Sequence, residues 1–493
     1  MKRYFAQHLN KILIIFCLLV AFGVRLYKID IFAIFLSDQA IDSFVVRNLL
    51  HGNLTLLGPR ASAGDFFNGP IVYYLMVPFY WLFVHDPIAG TIFQIVLQIA
   101  TIPLLFLVTR KMGGVWAAYV ALLIFTFSPL LIYYSRATFN AYPSIFFTTF
   151  IMYALLNDRK DAKLDFAAGI SAGMLVQMHY LLYVYAFFYL IFVAISRKIR
   201  SVVLFVIGAL LGLSPFILFE LRHDDFNVLA VFRHMVQGGG ESALLIDRLS
   251  QLLRTIGKIA GYDSAFAGLL VSIIALIGVK IVWKQTDSRR LFLLQSIAAI
   301  VSLIAYRGVI QAHYVIGMTS MLIILVSIAL SSVRIVTRQT SSIVIIMFVV
   351  ILILFTQNKS LFAVPTEQDA FGLQDERKVV TLISNIMSSV ERESPSCTWN
   401  VTQDLQQDNR AMPLRYLLDI ADVKPEPLSY TDYSTNELLF IVMKNNKKLS
   451  QVKTWEFTSL GREYAVEDKY PINESIDMYI LRRKSISKIC LLS

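Results

Sequence analysis

Long apolar blocks separated by short polar connections dominate the first 356 residues of the chain. Most of these blocks are close to the length that a helix needs to cross the hydrocarbon core of a bilayer, about 20 residues. The pattern predicts about 11 membrane-spanning helices, near residues 12–27, 88–108, 115–133, 141–156, 164–178, 181–195, 201–219, 264–283, 291–306, 314–332 and 341–356. We therefore expect an all-α polytopic membrane domain over residues 1–356.

The apolar run Ile71–Val84 is shorter than the others, at about 14 residues, and this length is typical of re-entrant or interfacial helices. Whether this run crosses the membrane decides on which side of the membrane every downstream basic cluster lies, because one added span reverses the topology. Those clusters are Arg110-Lys111, Arg159-Lys160-Lys163, Arg197-Lys198-Arg200, Lys280-Lys284-Arg289-Arg290 and Arg334-Arg338. Since Lys and Arg accumulate in cytoplasmic loops, the clusters favour a helix that only dips into the outer leaflet.

The basic residues Lys2, Arg3 and Lys11 predict a cytoplasmic N-terminus, followed by a first span that is retained as a signal anchor. The loops at 29–87 and 220–263 then lie outside, together with the short connections at 134–141, 179–180 and 307–313. We therefore expect a multi-pass protein of the cell membrane.

After about Gln357 the composition changes to that of a soluble domain. Short apolar runs at 438–443 and 478–481 predict strands, and the patterns at 377–390 and 410–420 predict helices. Residues 357–493 are thus expected to form a small α/β or α+β domain outside the membrane. Whether Cys397 and Cys490 pair as a disulfide stays open at this point.

Composition supports the membrane class and excludes others. Of the 493 residues 56% are hydrophobic and only 16% are charged, which is far too apolar for a soluble globular protein. The net charge of +11 does not indicate nucleic-acid binding, because the basic residues stand in short clusters between apolar blocks. The chain contains no glycine-rich phosphate loop, zinc-binding spacing or nucleophile elbow.

The polar stretch Ser37–Pro70 carries the most informative residues. Asp38 and Asp42 lie four residues apart directly beside a bilayer, where ionised groups are costly and usually functional. On a helix the two carboxylates share one face.

Several outward segments, taken in order, resemble the GT-C superfamily of integral-membrane glycosyltransferases, in particular the branch of protein O-mannosyltransferases and aminoarabinose transferases. The matching residues are Asp38 with Asp42 and Arg47, Gly58-Pro59, Phe67–Tyr74, Ser128-Pro129, Tyr134–Asn140, Gln177–Tyr180 and His313-Tyr314. The resemblance implies a sugar donor linked to a polyprenyl phosphate (undecaprenyl or dolichyl), an acceptor hydroxyl on a protein, lipid or glycan, and a catalytic aspartate in the first outward loop.

Under that resemblance Asp38 is the candidate general base of an inverting transfer, and the alternative is a helix N-cap. Asp42 either orients Asp38 or contacts the sugar, and it could equally pair with Arg47 or be solvated. Residues expected to bind the substrates, some of them as cations for the leaving phosphate, are Arg47, Asn68, Arg136, Asn140, His179, Tyr180, Arg222, Arg307, His313 and Tyr314. Interfacial packing and turn hydrogen bonds are the structural alternatives for these ten.

Two departures from the related families concern specificity. Many relatives have Asp-Glu where this chain has Asp38-Gln39, and the aminoarabinose transferases have an acidic-basic pair where it has Asn68-Gly69. Because the Asp-x-Asp motif of metal-dependent oligosaccharyltransferases is also missing, no cofactor is expected, although a divalent metal stays possible.

Two other functions fit the sequence less well. A secondary transporter or lipid flippase would place ionisable residues near the midplane and show internal repeats, whereas here charges gather at the outer boundary. A glycan polymerase or ligase with a longer lipid-linked donor would use closely related chemistry.

Overall fold

The computed structural model describes residues 2–61, 66–157, 161–237, 244–306, 310–333, 371–394, 396–405, 410–425, 436–460 and 464–484, with 344, 346, 347, 349–351, 353 and 356. Two compact units are present. The first unit comprises Met1–Tyr27, Gly52–Val77 and Ile92–Phe362, and the second unit comprises Lys28–His51, Pro78–Thr91 and Ala363–Ser493.

Helices make up nearly all of the described chain before residue 333. They are α1 Lys2–Leu26, α2 Ile29–Phe32, α3 Ser37–Leu50, α4 Ile71–Leu82, α5 Ile88–Phe127, α6 Pro129–Arg136, α7 Ser144–Leu155, α8 Ala162–Met178, α9 Leu182–Ser196, α10 Ile199–Arg222, α11 Phe226–Gln237, α12 Leu245–Ile259, α13 Ala265–Val282, α14 Thr286–Ala305 and α15 Ile316–Ser332, the last preceded by a 3₁₀ turn Ala312–Val315.

Four segments of the described chain are long and apolar enough to cross a membrane: Ile88–Phe127, Ile199–Arg222, Ala265–Val282 and Ala312–Ser332. Shorter apolar helices include α4, α7 and α9. The 40-residue α5 is two helices in one run, because Gly114 interrupts it with a φ of 86°. That break falls between the predicted spans 88–108 and 115–133, where a left-handed φ requires glycine.

Helices α8 and α10 pack with their backbones in direct contact. Gly169 and Gly173 on α8 face Gly208 and Gly212 on α10, and a β-carbon added at any of the four would lie under 3.0 Å from a carbonyl oxygen of the facing helix. Such small-xxx-small pairs are how membrane helices approach closely without a hydrophobic driving force.

A buried ion pair holds the neighbouring helices α7, α8 and α9. Arg197, directly after α9, lies 3.4 Å from the carboxylate of Asp165 in the first turn of α8. The same guanidinium donates to the last carbonyls of α7, Ala154 at 3.3 Å and Leu155 at 2.6 Å. One arginine thus pairs in charge with a buried carboxylate and donates hydrogen bonds to a helix end.

The C-terminal part of the second unit is a mixed four-stranded sheet with helices. Its elements are β1 Trp399–Asp404, β2 Leu438–Lys444, β3 Tyr464–Pro471, β4 Ile476–Arg483, α16 Leu373–Glu393, α17 Met412–Ile420 and α18 Trp455–Leu460. The strand order is β1-β2-β4-β3, with β1 and β2 parallel and the other pairs antiparallel. Central strand β2 is buried along six of its seven residues, whereas edge strand β3 is largely exposed.

The predicted fold class, a helical membrane domain with a small α+β C-terminal domain, is confirmed. The number of spans stays a prediction, and most of the predicted span 341–356 lies outside the described residues. Strands β1 and β3 were not predicted. Cys397 is disulfide-bonded and Cys17 is a free thiol, while Cys490 lies outside the described residues.

The contact between α8 and α10 predicts that two Gly→Ala changes will affect the stability of the protein differently. Gly169→Ala should destabilise the protein by about 1–3 kcal/mol, because the added methyl group meets a backbone carbonyl that cannot move aside. Gly23→Ala in α1 is the matched control, since no atom lies within 4 Å of its β-carbon position and alanine favours a helix. Unfolding titrations in detergent would compare them, and equal midpoints would contradict the close packing.

Candidate active site

Helix α3 presents Asp38 at its first turn. The helix begins after extended Leu36, whose backbone N–H donates to Oε1 of Gln39 at 3.0 Å. The Gln39 side chain therefore caps the start of the helix by accepting from the N-cap residue Leu36, and Asp38 is not the N-cap residue. Asp38 is exposed, and its carboxylate has no hydrogen-bond or ion-pair partner among the residues that the structure describes.

The environment of Asp38 raises the pKa of its carboxyl above the usual aspartate value. The cause is desolvation, because surrounding protein atoms exclude part of the water that would stabilise the charge. A carboxylate with a raised proton affinity and no internal partner suits general-base chemistry.

The other two predicted residues of α3 are engaged within the second unit. Asp42 is 6% exposed, and neighbouring Ser43 shares a 2.6 Å hydrogen bond with the hydroxyl of Tyr80. Arg47 forms an ion pair with Asp419 of α17. Asp38 and Asp42 thus lie on the same helix in different surroundings, the first open and the second enclosed.

In the first unit, five of the predicted residues are close to one another. His179 stacks on Tyr180 with ring centroids 4.4 Å apart, and the rings of His313 and Tyr314 lie 5.3 Å and 5.2 Å from His179. Asn140 joins this group by donating from Nδ2 to the carbonyl of Met178 at 2.7 Å. We call His179, Tyr180, His313 and Tyr314 the aromatic cluster.

The imidazole of His179 is neutral in this setting. Burial, together with the nearby His313 ring, lowers the pKa of His179 well below its usual value. Its Nδ1 accepts a 3.3 Å hydrogen bond from the backbone N–H of Leu181. The ring proton is therefore on Nε2, where it can be donated to an oxygen of a substrate.

Both predicted asparagines bond to the backbone. Asn68 Nδ2 donates to the carbonyl of Pro59 at 3.2 Å, and its own backbone N–H donates to the same oxygen at 2.9 Å. Asn140 bonds in the same way to the carbonyl of Met178. Both side-chain amides therefore satisfy backbone groups of connecting segments, which is the structural alternative to substrate binding.

The predicted arginines separate into different environments. Arg136 is 2% exposed, and its guanidinium donates to the carbonyl of Val24 near the end of α1 at 3.0 Å. Arg25 is fully buried and donates to Phe125 and Thr126 near the end of α5. Arg222 is exposed in the last turn of α10, with no bonded partner in the described part of the chain. Arg307 lies outside the described residues.

A buried polar network, not predicted from the sequence, anchors the segment that precedes α4. The carboxylate of Glu220 accepts from Asn227 Nδ2 at 2.8 Å and from the N–H of Val228 at 3.1 Å, which caps the start of α11. Asn227 Oδ1 in turn accepts from the N–H of Phe67 at 2.7 Å. Glu220 and Asn227 are separated from Phe67 by about 150 residues, so no local pattern indicates their contact.

The same segment has a second anchor. The backbone N–H of Gly69 donates to the carbonyl of Gln177 at 2.9 Å, and Gln177 donates through Nε2 to the carbonyl of Gly212. A β-carbon at Gly69 would collide with the Gln177 side chain, so only glycine allows this approach. Among the described residues, no three His, Cys, Asp or Glu side chains are grouped in a way that could hold a metal ion.

The fold defines a class: the chain is a multi-pass membrane protein with the GT-C glycosyltransferase fold. A sequence model of the family described as dolichyl-phosphate-mannose-protein mannosyltransferase matches residues 68–219. The resemblance to GT-C glycosyltransferases seen in the sequence is thereby confirmed.

Solved structures give the same fold. ArnT from Cupriavidus metallidurans bound to undecaprenyl phosphate is 12% identical, with a TM-score of 0.61 over 98% of this chain and 99% of that one. The apo state of the same protein gives a TM-score of 0.62. The apo oligosaccharyltransferase of Archaeoglobus fulgidus is 9% identical, with a TM-score of 0.53 over 98% of this chain and 76% of its own. No curated protein sequence matches the chain.

The anchor of the segment that precedes α4 yields a prediction. Asn227→Ala leaves the N–H of Phe67 without its partner and removes one of the two donors to the carboxylate of Glu220, and a polar group left unsatisfied in this way costs about 1–3 kcal/mol. Hydrogen exchange should therefore be roughly tenfold or more faster at residues 66–69. Asp224→Asn is the control, because this exposed residue has a φ of 50°, which asparagine tolerates. Unchanged exchange in Asn227→Ala would contradict the anchoring role.

Proposed function

We propose that the protein transfers a sugar from a polyprenyl-phosphate donor to an acceptor hydroxyl at the outer face of the cell membrane. The GT-C fold supports the class of reaction, and ArnT, whose structure holds undecaprenyl phosphate, supports a donor of this type. The family described as dolichyl-phosphate-mannose-protein mannosyltransferase supports the same chemistry, with the donor sugar carried by a different polyprenyl phosphate. The acceptor is a hydroxyl of a protein, lipid or glycan.

In the proposed reaction Asp38 is the general base. As the acceptor oxygen attacks the anomeric carbon, the proton of its hydroxyl passes to the Asp38 carboxylate and the bond from carbon to phosphate oxygen breaks. Attack from the side opposite the phosphate inverts the anomeric centre. The observation that carries this assignment is the exposed carboxylate of Asp38 in the first turn of α3, which has no bonded partner in the part of the chain that the structure describes.

Asp42 is proposed to act differently from Asp38. Because it is enclosed and lies one helical turn further on, it can orient the base or accept hydrogen bonds from sugar hydroxyls, but it cannot receive a proton from a bulky acceptor as easily. Keeping one carboxylate open and one enclosed allows them to have separate roles.

The leaving phosphate needs cations. Of the four arginines predicted for substrate binding, Arg222 has a guanidinium that is exposed and available, whereas Arg47 and Arg136 are already engaged by Asp419 and Val24. We therefore propose Arg222 as a phosphate ligand, and Arg307 remains a prediction.

We propose the aromatic cluster and Asn140 as part of the donor site. A neutral His179 can donate from Nε2 to a sugar or phosphate oxygen, and the flanking rings offer flat apolar surface. Cationic side chains are proposed to stabilise the leaving phosphate without a resident metal, because the chain lacks an Asp-x-Asp motif. The orientation, with the N-terminus in the cytoplasm and the C-terminal domain outside, is part of the same proposal.

Replacing the base tests the mechanism. Asp38→Asn should abolish transfer from a radiolabelled polyprenyl-phosphate sugar while leaving expression and membrane insertion intact, because the amide cannot accept the acceptor proton. Asp263→Asn is the matched control, since it breaks only exposed ion pairs with Arg254 and Lys258 that contribute little. Normal turnover in Asp38→Asn would refute the assignment.

The pH dependence tests the environment of Asp38. The base works only when ionised, so kcat/KM should fall as the pH drops through the Asp38 pKa. Because desolvation raises that pKa, the acidic limb should lie above the usual aspartate value of about 3.9. A limb at or below that value, measured with saturating donor, would show that Asp38 is not the titrating base.

A further inference from the structure

Tyr416 of α17 connects the C-terminal domain with the helix that carries Asp38. Its side chain is fully buried, and its hydroxyl donates to the backbone carbonyl of His85 at 2.6 Å. Its ring meets Phe44 of α3 edge-on at 5.0 Å and Phe35, just before α3, at 5.8 Å. One residue of α17 therefore contacts both α3 and the connection between α4 and α5.

A second contact lies one helical turn along each helix. Arg47, three residues after Phe44, forms an ion pair with Asp419, three residues after Tyr416. These side chains are 25% and 30% exposed, so the pair is partly shielded from solvent. Two successive turns of α3 thus contact two successive turns of α17, which restrains both the tilt and the rotation of α3.

We call the contacts of Tyr416 and Asp419 with α3 the joint. Other contacts in the second unit hold its surroundings in place. Ser43 of α3 bonds to Tyr80 of α4 at 2.6 Å. One guanidinium nitrogen of Arg377 in α16 donates to both carboxylate oxygens of Asp86, at 2.8 Å and 2.7 Å. Asp86 is next to His85, which accepts from Tyr416.

Apart from the Phe35 ring just before the helix, the contacts made by α3 itself come from Ser43, Phe44 and Arg47 in its second half. The carboxylate of Asp38 in the first turn has no partner among the described residues. Asp38 is nine residues before Arg47, a separation of about 14 Å along a helix axis. A tilt of about 5° at the joint would therefore move Asp38 by roughly 1 Å, and misplacement by that distance can lower a rate by up to about a hundredfold.

We propose that the C-terminal domain is a positioning element of the catalytic site, which uses Tyr416 and Asp419 of α17 to fix α3 and with it the carboxylate of Asp38. This inference rests on the proposed function, in which Asp38 is the base. It assigns Arg47 to the joint rather than to the substrate. Tyr416 and Asp419 are then positioning residues, because they act on the reaction only through α3.

The test measures kcat and KM for purified full-length variants with a radiolabelled polyprenyl-phosphate sugar. Asp419→Asn and Tyr416→Phe, which remove one polar contact each and keep the side-chain shape, should lower kcat by on the order of tenfold. The KM for the donor should stay within about twofold, since no donor contact is removed. Asp422→Asn is the matched control, because its pairing with Lys424 is highly exposed.

A charge exchange separates positioning from substrate binding. The double variant Arg47→Asp with Asp419→Arg restores an ion pair at the joint and should recover most of the kcat lost in Asp419→Asn. If Arg47 bound the substrate, the exchange would recover nothing and would raise KM, and this result would overturn the proposal. Size-exclusion profiles of all variants in detergent correct each rate for the folded fraction.

Asp38→Asn, assayed in parallel, separates this inference from the proposed function. Loss of transfer in Asp38→Asn with normal kcat in Asp419→Asn and Tyr416→Phe would overturn the positioning role and leave the proposed function standing. Transfer retained in Asp38→Asn would contradict the proposed function and the inference with it.

Discussion

The need to satisfy helix ends away from water shapes this protein more than any single contact. The last carbonyls of a helix lack partners within the helix, and in hydrocarbon no water replaces them. Arginines fill this need at three ends: Arg25 donates to the end of α5, Arg136 to the end of α1, and Arg197 to the end of α7. A guanidinium suits the task because its several donors reach more than one carbonyl at once.

This structural use of arginine changes how the charges of the chain are interpreted. Arg136 is at the end of α6, where the sequence predicts a phosphate ligand, yet its guanidinium is buried and donates to the carbonyl of Val24. Arg47 is occupied by Asp419. Among the charged candidate site residues that the structure describes, Asp38 and Arg222 are exposed and have no bonded partner in the described chain. Availability, rather than residue type alone, therefore separates catalytic candidates from structural ones.

Local patterns in the sequence predicted most of the helices, the break near Gly114, and the position of Asp38 at the start of α3. They could not predict partners far apart in the chain. The side-chain amides of Asn68 and Asn140 donate to backbone carbonyls, and Glu220 is linked to Phe67 by hydrogen bonds through Asn227. Strand β3 was missed because its exposed, charged residues lack the apolar pattern of a buried strand.

The two aspartates of α3 show why tertiary contacts decide chemistry that spacing cannot. At four residues apart they are equivalent as a sequence pattern, and either could be a base. Asp42 lies where α3 packs against α4, beside the bond between Ser43 and Tyr80, so it is enclosed. Asp38 precedes these contacts and stays open. The difference comes from the contacts made beside each carboxylate, and it supports the proposal of one reactive and one supporting carboxylate.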